Sequence, residues 1–521
     1  MQLFLRVQSE GNFCSRIFDV TDRFIQCFLF CVVDGIWNIF TWKCRNNCVF
    51  NFGVIFSFSF NLRMETDQPN KFFSRLTTSI FVIVLPLLFV DIMWGNIAYF
   101  QQRSNYSPAQ TISTTTAATK SVGDSDSLDF VLSRLVQGED LKSFRATGFG
   151  CDTQEHSKHC ITNRAAHIDT TTMTVTIPSE DPFMNEMTLH PYARQEDKTL
   201  IEKVTPVRIV RGKMMAPPPP CDYSHNIPAV VFSTSGFVGN TFHEMDETII
   251  PLFITTFLFN TRVVLIMEDY KPSFAKKYRK ILSGLSSREI LNPAANRSVH
   301  CFPAAVVGLK FHGFLSVNSS DIPRGLTTST FRQFLRRAYD LKYSHISQIK
   351  NTPTVMLVSR TTSRRIINQD EVVAMMEDLG FRVIVVKRAK VVANLNVFSS
   401  MINACSVFVG VHGAGLTNEV FLPDGAVLVQ VDLIGLEWAA EAYFGRPTPG
   451  MGLRYLRYKI EPEESSLLRI FGSRSHKAFT DPGGAFPVDA GTEVYLNGQN
   501  VNINVDRFRQ TMAMAMSFIR D

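Results

Sequence analysis

The sequence predicts an α/β fold in which two units, each a parallel sheet covered by helices, face each other across a cleft. In the second half of the chain, apolar strands such as TVMLVS and SVFVGV alternate with amphipathic helices. Because these strands are almost continuously apolar, helices are expected on both faces of the sheet. A similar alternation starts earlier, after the proline run at 217–220. Ligands are expected at the carboxyl ends of the strands.

Bulk composition is that of a globular protein. The chain has 521 residues, of which 45% are hydrophobic and 19% charged, and its net charge is +6. This length leaves room for about two domains after the ends are trimmed. The mild positive charge, with no basic tract interleaved with aromatic residues, indicates no nucleic-acid partner.

The N-terminal region predicts a single-pass type II membrane protein. The apolar run IFVIVLPLLFV lies in a predicted transmembrane signal anchor at 77–100, and basic residues precede it. Residues 1–76 would then form the cytosolic tail, and a Ser/Thr-rich, flexible stem would occupy 101–147. Residues 1–63 are either an extension upstream of a start at Met64 or an extra apolar segment.

Three N-glycosylation sequons follow the predicted anchor and favour a luminal location. They begin at Asn105, Asn296 and Asn318. The segment Asp124-Ser-Asp126 has the form of a metal-binding DxD motif, but it lies in the predicted stem. We therefore expect no metal site there.

Five cysteines lie beyond the anchor, an odd number that leaves at least one unpaired. They are Cys151, Cys160, Cys221, Cys301 and Cys405. None has the spacing of a zinc site. Although connectivity does not follow from sequence, we expect disulfides Cys151–Cys160 and Cys221–Cys301, with Cys405 buried and free.

The first candidate site is the stretch VGVHGAGLTN, in which an apolar strand runs into His412, Gly413, Ala414 and Gly415 before a short helix. Glycines let the backbone approach a ligand, and a helix N-terminus offers unpaired N–H groups. These features suit a diphosphate. The alternative is a tight turn that needs glycine for its backbone angles, and spacing alone does not separate the two.

The second candidate site is SRTTSRRIIN, which also follows a predicted parallel strand. Arg360, Arg364 and Arg365 supply guanidinium groups, which bind phosphate in a fork. A solvated basic loop is the alternative. Because both loops lie at carboxyl ends of one predicted sheet, a single anionic ligand shared between them is favoured.

The third candidate site is GNTFHEMDETIIP, predicted to begin a helix. Asn240, His243 and Glu247 fall at i, i+3 and i+7, on one helical face. Such a polar stripe, starting where a strand ends, could supply a general base. A charged, solvent-exposed helix face is the alternative.

Together, these motifs resemble glycosyltransferase family 61, which includes plant xylan arabinosyl- and xylosyltransferases and has the N-glycan β-1,2-xylosyltransferase as a more distant relative. The similarity extends over about Cys221 to Phe508 and includes NxxH, SRxxSR and HGAGLTN in that order. It implies a GT-B fold: two Rossmann-like domains facing a cleft, here an acceptor-side domain at 148–350 and a donor-binding domain at 351–470. A C-terminal segment, 471–521, would pack back on the core.

The resemblance also implies roles for individual residues. The donor-binding set would be Ser359, Arg360, Arg364, Asn368, His412, Gly413, Ala414, Gly415 and Asn418. Glu247 would be the catalytic base, oriented by His243 and Asn240, and His243 itself is the second candidate. The plant family usually has aspartate at the position of Glu247.

The implied reaction is an inverting transfer from a UDP-sugar, without a cofactor or an obligatory metal. Arginines and a helix N-terminus would neutralise the leaving diphosphate. The expected activity is transfer of a pentose, xylose or arabinofuranose, from a UDP-pentose donor to xylan at the Golgi membrane, with the catalytic domain in the lumen. The alternatives are an enzyme like the N-glycan β-1,2-xylosyltransferase and a non-catalytic scaffold in a Golgi glycosyltransferase complex.

Overall fold

The computed structural model describes residues 127–520, except 154–156, 181–183, 197, 214–216, 235–236, 319–324, 388–390 and 392–393, together with four short strands before residue 53. The chain divides into two compact units, Met1–Thr119 and Lys120–Asp521. The predicted anchor at 77–100 lies outside the described residues. Within the described part of the chain, no helix combines the length and apolar character that crossing a membrane requires.

Short strands and helices follow one another along the described residues. The strands are β1 Val7–Ser9, β2 Asn12–Cys14, β3 Phe40–Lys43, β4 Val49–Phe52, β5 Phe149–Asp152, β6 His159–Thr162, β7 Ala166–Asp169, β8 Thr174–Pro178, β9 Asn185–Leu189, β10 Val207–Gly212, β11 Tyr223–Ser224, β12 Ala229–Phe232, β13 Val264–Met267, β14 Val299–Phe302, β15 Ala305–Val307, β16 Thr354–Val358, β17 Arg382–Val386, β18 Val407–Val411, β19 Val427–Asp432 and β20 Arg454–Lys459. The α-helices are Leu128–Ser133, Gly138–Thr147, Lys198–Ile201, Thr241–Glu244, Ile250–Thr256, Pro272–Lys277, Arg279–Leu285, Thr328–Tyr339, Gln369–Asp378, Leu395–Asn403, Glu437–Ala440, Pro447–Gly450, Leu467–Phe471, Lys477–Thr480, Pro482–Ala485, Val488–Gly491 and Val505–Arg520. The 3₁₀ helices are Phe257–Phe259, Ile346–Gln348, Ala414–Phe421 and Pro462–Glu464, and the π-helical turns are Met245–Ile249, Glu441–Gly445 and Thr492–Asn497.

The parallel sheet of the second half confirms the predicted α/β class. Its strand order is β17-β16-β18-β19-β20, and every pair is parallel. Side chains alternate between two cores: Val355 and Leu357 face one, and Met356 faces the other. Helices Gln369–Asp378 and Val505–Arg520 cover the first face. Burial on both faces explains why these strands are apolar throughout.

The first half holds two sheets where the sequence predicted one Rossmann-like domain. A five-stranded sheet has the order β13-β12-β15-β6-β5, in which β13, β12 and β15 are parallel and β6 and β5 antiparallel. A six-stranded mixed sheet has the order β11-β14-β7-β8-β10-β9. The segment HCFPAAVVGL contributes residues of β14 to one sheet and β15 to the other. Pro303 lies between them and lacks the N–H that a continuous ladder needs.

The end of the predicted stem is folded, which corrects its assignment to 101–147. Helices Leu128–Ser133 and Gly138–Thr147 lie in this range. Val131, Leu132 and Leu135 are buried in the core of the first half. Val131 and Leu132 lie on the first helix and Leu135 in the turn after it; the Ser/Thr-rich composition that precedes them hides this buried group.

The cysteine pairing agrees with the sequence-based expectation. Disulfides join Cys151 to Cys160 and Cys221 to Cys301, and Cys405 is buried and free. The first bridge links the adjacent antiparallel strands β5 and β6. The second links β14 to a residue shortly before β11.

One buried arginine connects the helix Thr328–Tyr339 to the second half of the chain. Arg332 is 1% exposed, and its guanidinium donates to the carbonyls of Leu422 and Met451 and to the carboxylate of Asp424. Arg336 shares Asp424. Burial lowers the pKa of Arg332 to about 10, and Asp424 partly offsets that effect.

We expect Arg332→Leu to lower the free energy of unfolding by about 3–5 kcal/mol, because it leaves buried carbonyl oxygens and a carboxylate without their donor. Arg337→Leu, on the less buried side of the same helix, is the matched control and should change stability by no more than about 0.5 kcal/mol. Urea denaturation of both variants measures the difference. Equal losses of stability in the two variants would contradict a stabilising role of the Arg332 contacts.

Candidate active site

The two predicted donor loops meet at one edge of the parallel sheet. Numbered along the chain, its five strands follow the order 2-1-3-4-5, so the direction of winding changes between β16 and β18. In sheets of this type, ligands bind at that switch point, outside the carboxyl ends of the strands. The loop with Arg360 and Arg364 follows β16, and the turn with His412 and Gly413 follows β18. The sequence-predicted pairing of these loops is therefore observed.

Both arginines lie directly against Gly413. Nη1 of Arg364 donates to the carbonyl of His412 at 3.0 Å. A Cβ atom at Gly413 would lie 2.8 Å from Nη1 of Arg364 and 2.9 Å from Nη1 of Arg360, and the glycine has φ 151°. The backbone angle therefore favours glycine here, and the two arginine side chains would have to shift to admit a Cβ atom. Arg364 itself has a φ of 56°, an uncommon conformation for a residue with a side chain.

No described carboxylate balances the charge of these guanidinium groups. Among the described residues, neither Arg360 nor Arg364 has a carboxylate partner within 4.0 Å. Burial lowers the pKa of Arg360. Burial and then the charge of Arg360 lower the pKa of Arg364 to about 10. Two adjacent, partly buried cations that have no counter-charge among the described residues make a candidate site for an anion, and guanidinium forks match phosphate oxygens.

His412 is a buried, neutral imidazole beside the arginine pair. It is 4% exposed, and burial, followed by the charges of Arg364 and Arg360, lowers its pKa to about 3. Its Nδ1 has no hydrogen-bond partner among the described residues. Oδ1 of Asn418 is likewise unpartnered there, while Nδ2 of Asn418 donates to the carbonyl of Gly415 at 3.0 Å. Nδ1 of His412 and Oδ1 of Asn418 are thus two buried polar atoms that have no partner among the described residues.

The helix that follows this turn differs from the expected one. LTNEVFL was predicted as a short helix, and the observed element is the 3₁₀ helix Ala414–Phe421, which begins two residues earlier. Gly413 precedes its first residue. Ala414 and Gly415 therefore form the first turn, directly after Gly413, against which the arginine pair lies.

The other two residues of the predicted donor set, Ser359 and Asn368, lie at different distances along the chain from the arginine pair. Ser359 lies at the end of β16 next to Arg360, and its backbone N–H donates to the carbonyl of Val386. Asn368 is used elsewhere: its side chain donates to the carbonyl of Ile503 at 2.8 Å and accepts from its N–H at 2.9 Å. Asn368 thus fastens the C-terminal segment to the start of the helix Gln369–Asp378.

The third motif forms a hydrogen-bonded histidine–glutamate pair. Nδ1 of His243 lies 2.8 Å from Oε1 of Glu247, and the His243 ring stacks on Phe237 with centroids 3.8 Å apart. Asn240 is the N-cap of the helix Thr241–Glu244, and its Oδ1 accepts from the N–H of Phe242. Asn240 therefore orients the helix and not Glu247 directly, which differs from the shared face predicted from the spacing.

Glu247 is enclosed by donors. Its carboxylate is 0% exposed and accepts from Tyr192, from Arg194 at 2.8 Å and from His243. Burial alone would raise the pKa of Glu247, but its hydrogen bond and charge interaction with His243, with the bonds from Tyr192 and Arg194, lower it below the ordinary value. The carboxylate is therefore ionised and sealed from solvent, whereas the His243 side chain is 17% exposed.

No sequence pattern identifies Tyr192 and Arg194 as partners of Glu247. They lie in the loop after β9, 55 and 53 residues before Glu247, and follow no periodic pattern. Only the fold brings this loop against the helix. A buried carboxylate does require partners, so their existence, though not their identity, could have been anticipated.

An aromatic pair connects the two groups of site residues. The Tyr443 ring lies 4.5 Å from that of Phe242 and 6.4 Å from that of His412. Phe444 lies 5.8 Å from His412. Both aromatics belong to the π-helical turn Glu441–Gly445, and the helix with His243 runs directly into another π-turn, Met245–Ile249. Such turns are frequent at functional sites.

The helix Thr241–Glu244 also packs directly against Ala414–Phe421. The histidine–glutamate pair and the arginine pair therefore belong to neighbouring parts of the fold, although more than 100 residues of chain separate them. This juxtaposition places a candidate proton acceptor beside a candidate anion site, which is the combination that group transfer from a diphosphate needs.

Other candidate sites lie apart from this constellation. A cavity of about 610 Å³ is lined by residues that include Tyr223, His225 and His300, and by none of the predicted site residues. Within the described part of the chain, the one group spaced to hold a metal is His167 with Cys221 and Cys301. Both sulfurs of that group are taken up by the second disulfide.

Comparison with known proteins identifies the family. A model of the family Glycosyltransferase 61 matches residues 241–429, which contain every predicted site residue except Asn240. The beta-1,2-xylosyltransferase XYXT1 of Oryza sativa subsp. japonica is 34% identical over 343 residues, covering 64% of this chain and 72% of the relative. The chain belongs to glycosyltransferase family 61. The resemblance inferred from the motifs is thereby confirmed.

Further relatives belong to the same group of plant enzymes. The xylan glycosyltransferase MUCI21 of Arabidopsis thaliana is 32% identical over 346 residues, covering 62% of this chain and 69% of the relative. The alpha-1,3-arabinosyltransferase XAT3 of Oryza sativa subsp. japonica is 34% identical over 335 residues, covering 63% of this chain and 57% of the relative. The match thus spans less than two thirds of that family 61 protein.

Proposed function

We propose that this family 61 chain is an inverting glycosyltransferase that transfers a pentose, xylose or arabinofuranose, from a UDP-sugar to xylan. We also propose that its two halves act as the halves of a GT-B enzyme, with the donor on the parallel sheet. The observation that carries the proposal is the convergence of Arg360 and Arg364 on Gly413 without a carboxylate partner among the described residues. The His243–Glu247 pair on the adjoining helix supplies the second requirement, a base.

The donor diphosphate would bind the arginine pair and the first turn of Ala414–Phe421. As the bond between the sugar C1 and the diphosphate oxygen breaks, negative charge grows on that oxygen. The guanidinium groups are already in place and need little rearrangement to stabilise it. We therefore propose that a metal ion is not obligatory, which transfer in excess EDTA would test.

The proton of the acceptor hydroxyl would go to Nε2 of His243. The acceptor oxygen attacks C1 from the face opposite the diphosphate, so a single displacement inverts the configuration, and the hydroxyl proton must be taken up. The Glu247 carboxylate accepts a hydrogen bond from Nδ1 of His243, which leaves Nε2 of His243 as the proton acceptor. The negative charge of Glu247 then stabilises the imidazolium that forms. This reverses the roles first expected, because Glu247 is fully buried and His243 is not.

The acceptor and the cellular location are inferred from kinship and chemistry. Relatives named as xylan glycosyltransferase, xylosyltransferase and arabinosyltransferase support xylan as the acceptor. The two disulfides and the sequons at Asn296 and Asn318 fit an oxidising, luminal compartment. We propose a single-pass type II protein of the Golgi membrane, anchored by residues 77–100.

A transfer assay tests the proposed function. The full-length chain is incubated with UDP-xylose or UDP-arabinofuranose and xylohexaose, and mass spectrometry follows the product. We expect the acceptor mass to increase by one pentose with one of the donors, and NMR to show an inverted anomeric centre. Transfer to an N-glycan acceptor alone, or no transfer with either acceptor, would overturn the assignment.

A further inference from the structure

Trp438 is an exposed tryptophan at the border of the candidate active site. It is 64% exposed, although tryptophan is on average a highly buried residue. It lies on the short helix Glu437–Ala440, which runs directly into the π-turn that carries Tyr443. The indole therefore presents a large apolar face to solvent beside the site.

Two aromatic rings hold Trp438 without covering it. Tyr443 lies 5.7 Å from the indole at an interplanar angle of 76°, and Phe314 lies 6.4 Å from it at 90°. Since neither ring lies parallel to the indole, no described aromatic side chain occupies the position that a stacked sugar would take. The indole is therefore both supported and accessible.

A chain of contacts leads from Trp438 to the candidate base. The guanidinium of Arg194 lies 5.4 Å from the centroid of the Phe314 ring. Arg194 also pairs with Glu247 at 2.8 Å, and Glu247 holds His243. Trp438 thus adjoins the side of the site where the acceptor hydroxyl loses its proton.

We propose that Trp438 forms an acceptor subsite, in which the indole stacks on a pyranose ring of the glycan next to the ring that receives the pentose. The inference rests on the proposed function, because it assumes a polymeric sugar acceptor. The faces of a pyranose carry C–H groups that pack on an aromatic ring, while its hydroxyl groups stay hydrated at the edge. A polymer extends beyond the reacting ring and needs such a surface beside the base.

Tryptophan fluorescence of the full-length chain tests this directly. The other three tryptophans, Trp37, Trp42 and Trp94, lie before residue 100. With UDP present throughout, titration with xylohexaose is expected to change the emission, and the change should disappear in Trp438→Phe. Trp438→Ala should raise the KM for xylohexaose about 10-fold or more, with UDP binding unchanged. Ile470→Ala, at a position 63% exposed on Leu467–Phe471, is the matched control and should alter neither quantity.

The outcomes separate this inference from the proposed function. Normal transfer with an unchanged acceptor KM in Trp438→Ala would overturn the subsite and leave the transferase intact. An equal emission change with UDP alone would assign the indole to the donor and also overturn it. A wild-type chain that binds no UDP and transfers no sugar would overturn the proposed function. The xylohexaose titration would still report on Trp438 directly, and the absence of an emission change would refute the subsite.

Discussion

His243→Gln is expected to lower kcat by about 10²- to 10⁴-fold while UDP binding stays close to that of the wild-type chain, because the variant removes the proton acceptor and leaves the arginine pair in place. Steady-state kinetics with saturating donor and acceptor measure kcat, and calorimetric titration with UDP measures donor binding. The ring of His243 is the only part of the pair that reaches solvent, since its side chain is 17% exposed and that of Glu247 is 0% exposed.

Chemical rescue separates the two candidate bases. Added imidazole should restore part of the activity of His243→Ala and none of the activity of Glu247→Gln, because only the first variant lacks the ring itself. Glu244→Gln is the control for a buried carboxylate on the same helix: Glu244 accepts from Gly239, Lys277 and Tyr278 and does not pair with His243. Full activity in His243→Gln together with complete loss in Glu247→Gln would make Glu247 the base and contradict the assignment.

Arg364→Ala and Arg360→Ala are each expected to weaken UDP binding about 10- to 100-fold, the size of a lost charge-assisted hydrogen bond. Arg364→Lys should recover only part of that loss, because lysine keeps the charge but not the fork. Arg365→Ala is the matched control: this neighbouring side chain is exposed, and its removal should leave UDP binding unchanged. Calorimetric titration compares the variants.

The same arginine variants also test how the two charges affect the stability of the chain in the absence of UDP. Since Arg360 and Arg364 are like charges held close together and partly buried, removing one relieves repulsion. Arg360→Ala is therefore expected to unfold, in the absence of UDP, at a temperature no lower than that of the wild-type chain. A marked loss of stability combined with normal UDP binding would show that the arginines serve the fold and not the donor.

The sequence predicted the parallel sheet of the second half well, because the signals of that sheet are local. Buried parallel strands are apolar throughout, and glycine and arginine at their carboxyl ends stand out against that background. The strand β20 was missed for the converse reason: RYLRYK lies at the sheet edge, mostly half-exposed, and has no apolar run. The helices at 128–147 were missed because their buried side follows a low-complexity segment.

The residues that surround the His243–Glu247 pair could not be predicted. Tyr192 and Arg194 reach Glu247 from a loop more than 50 residues away, and Tyr443 approaches from the other half of the chain. Such contacts depend on how the sheets pack, which no periodic pattern encodes. As a result, sequence spacing identified His243 and Glu247 as a pair, whereas their relative burial was needed to assign a role to each.

Binding of UDP to the full-length chain is the most direct test of the central claim, that the arginine pair and the turn at Gly413 form a diphosphate site. Thermal unfolding is followed with and without UDP for the wild-type chain and for Arg364→Ala. A ligand at about 100 times its dissociation constant stabilises the folded state by about 2.7 kcal/mol. We expect a clear rise in the unfolding temperature of the wild-type chain and a much smaller one in the variant. No shift in a well-folded wild-type chain would mean that VGVHGAGLTN is a structural turn, and the proposed donor site would be wrong.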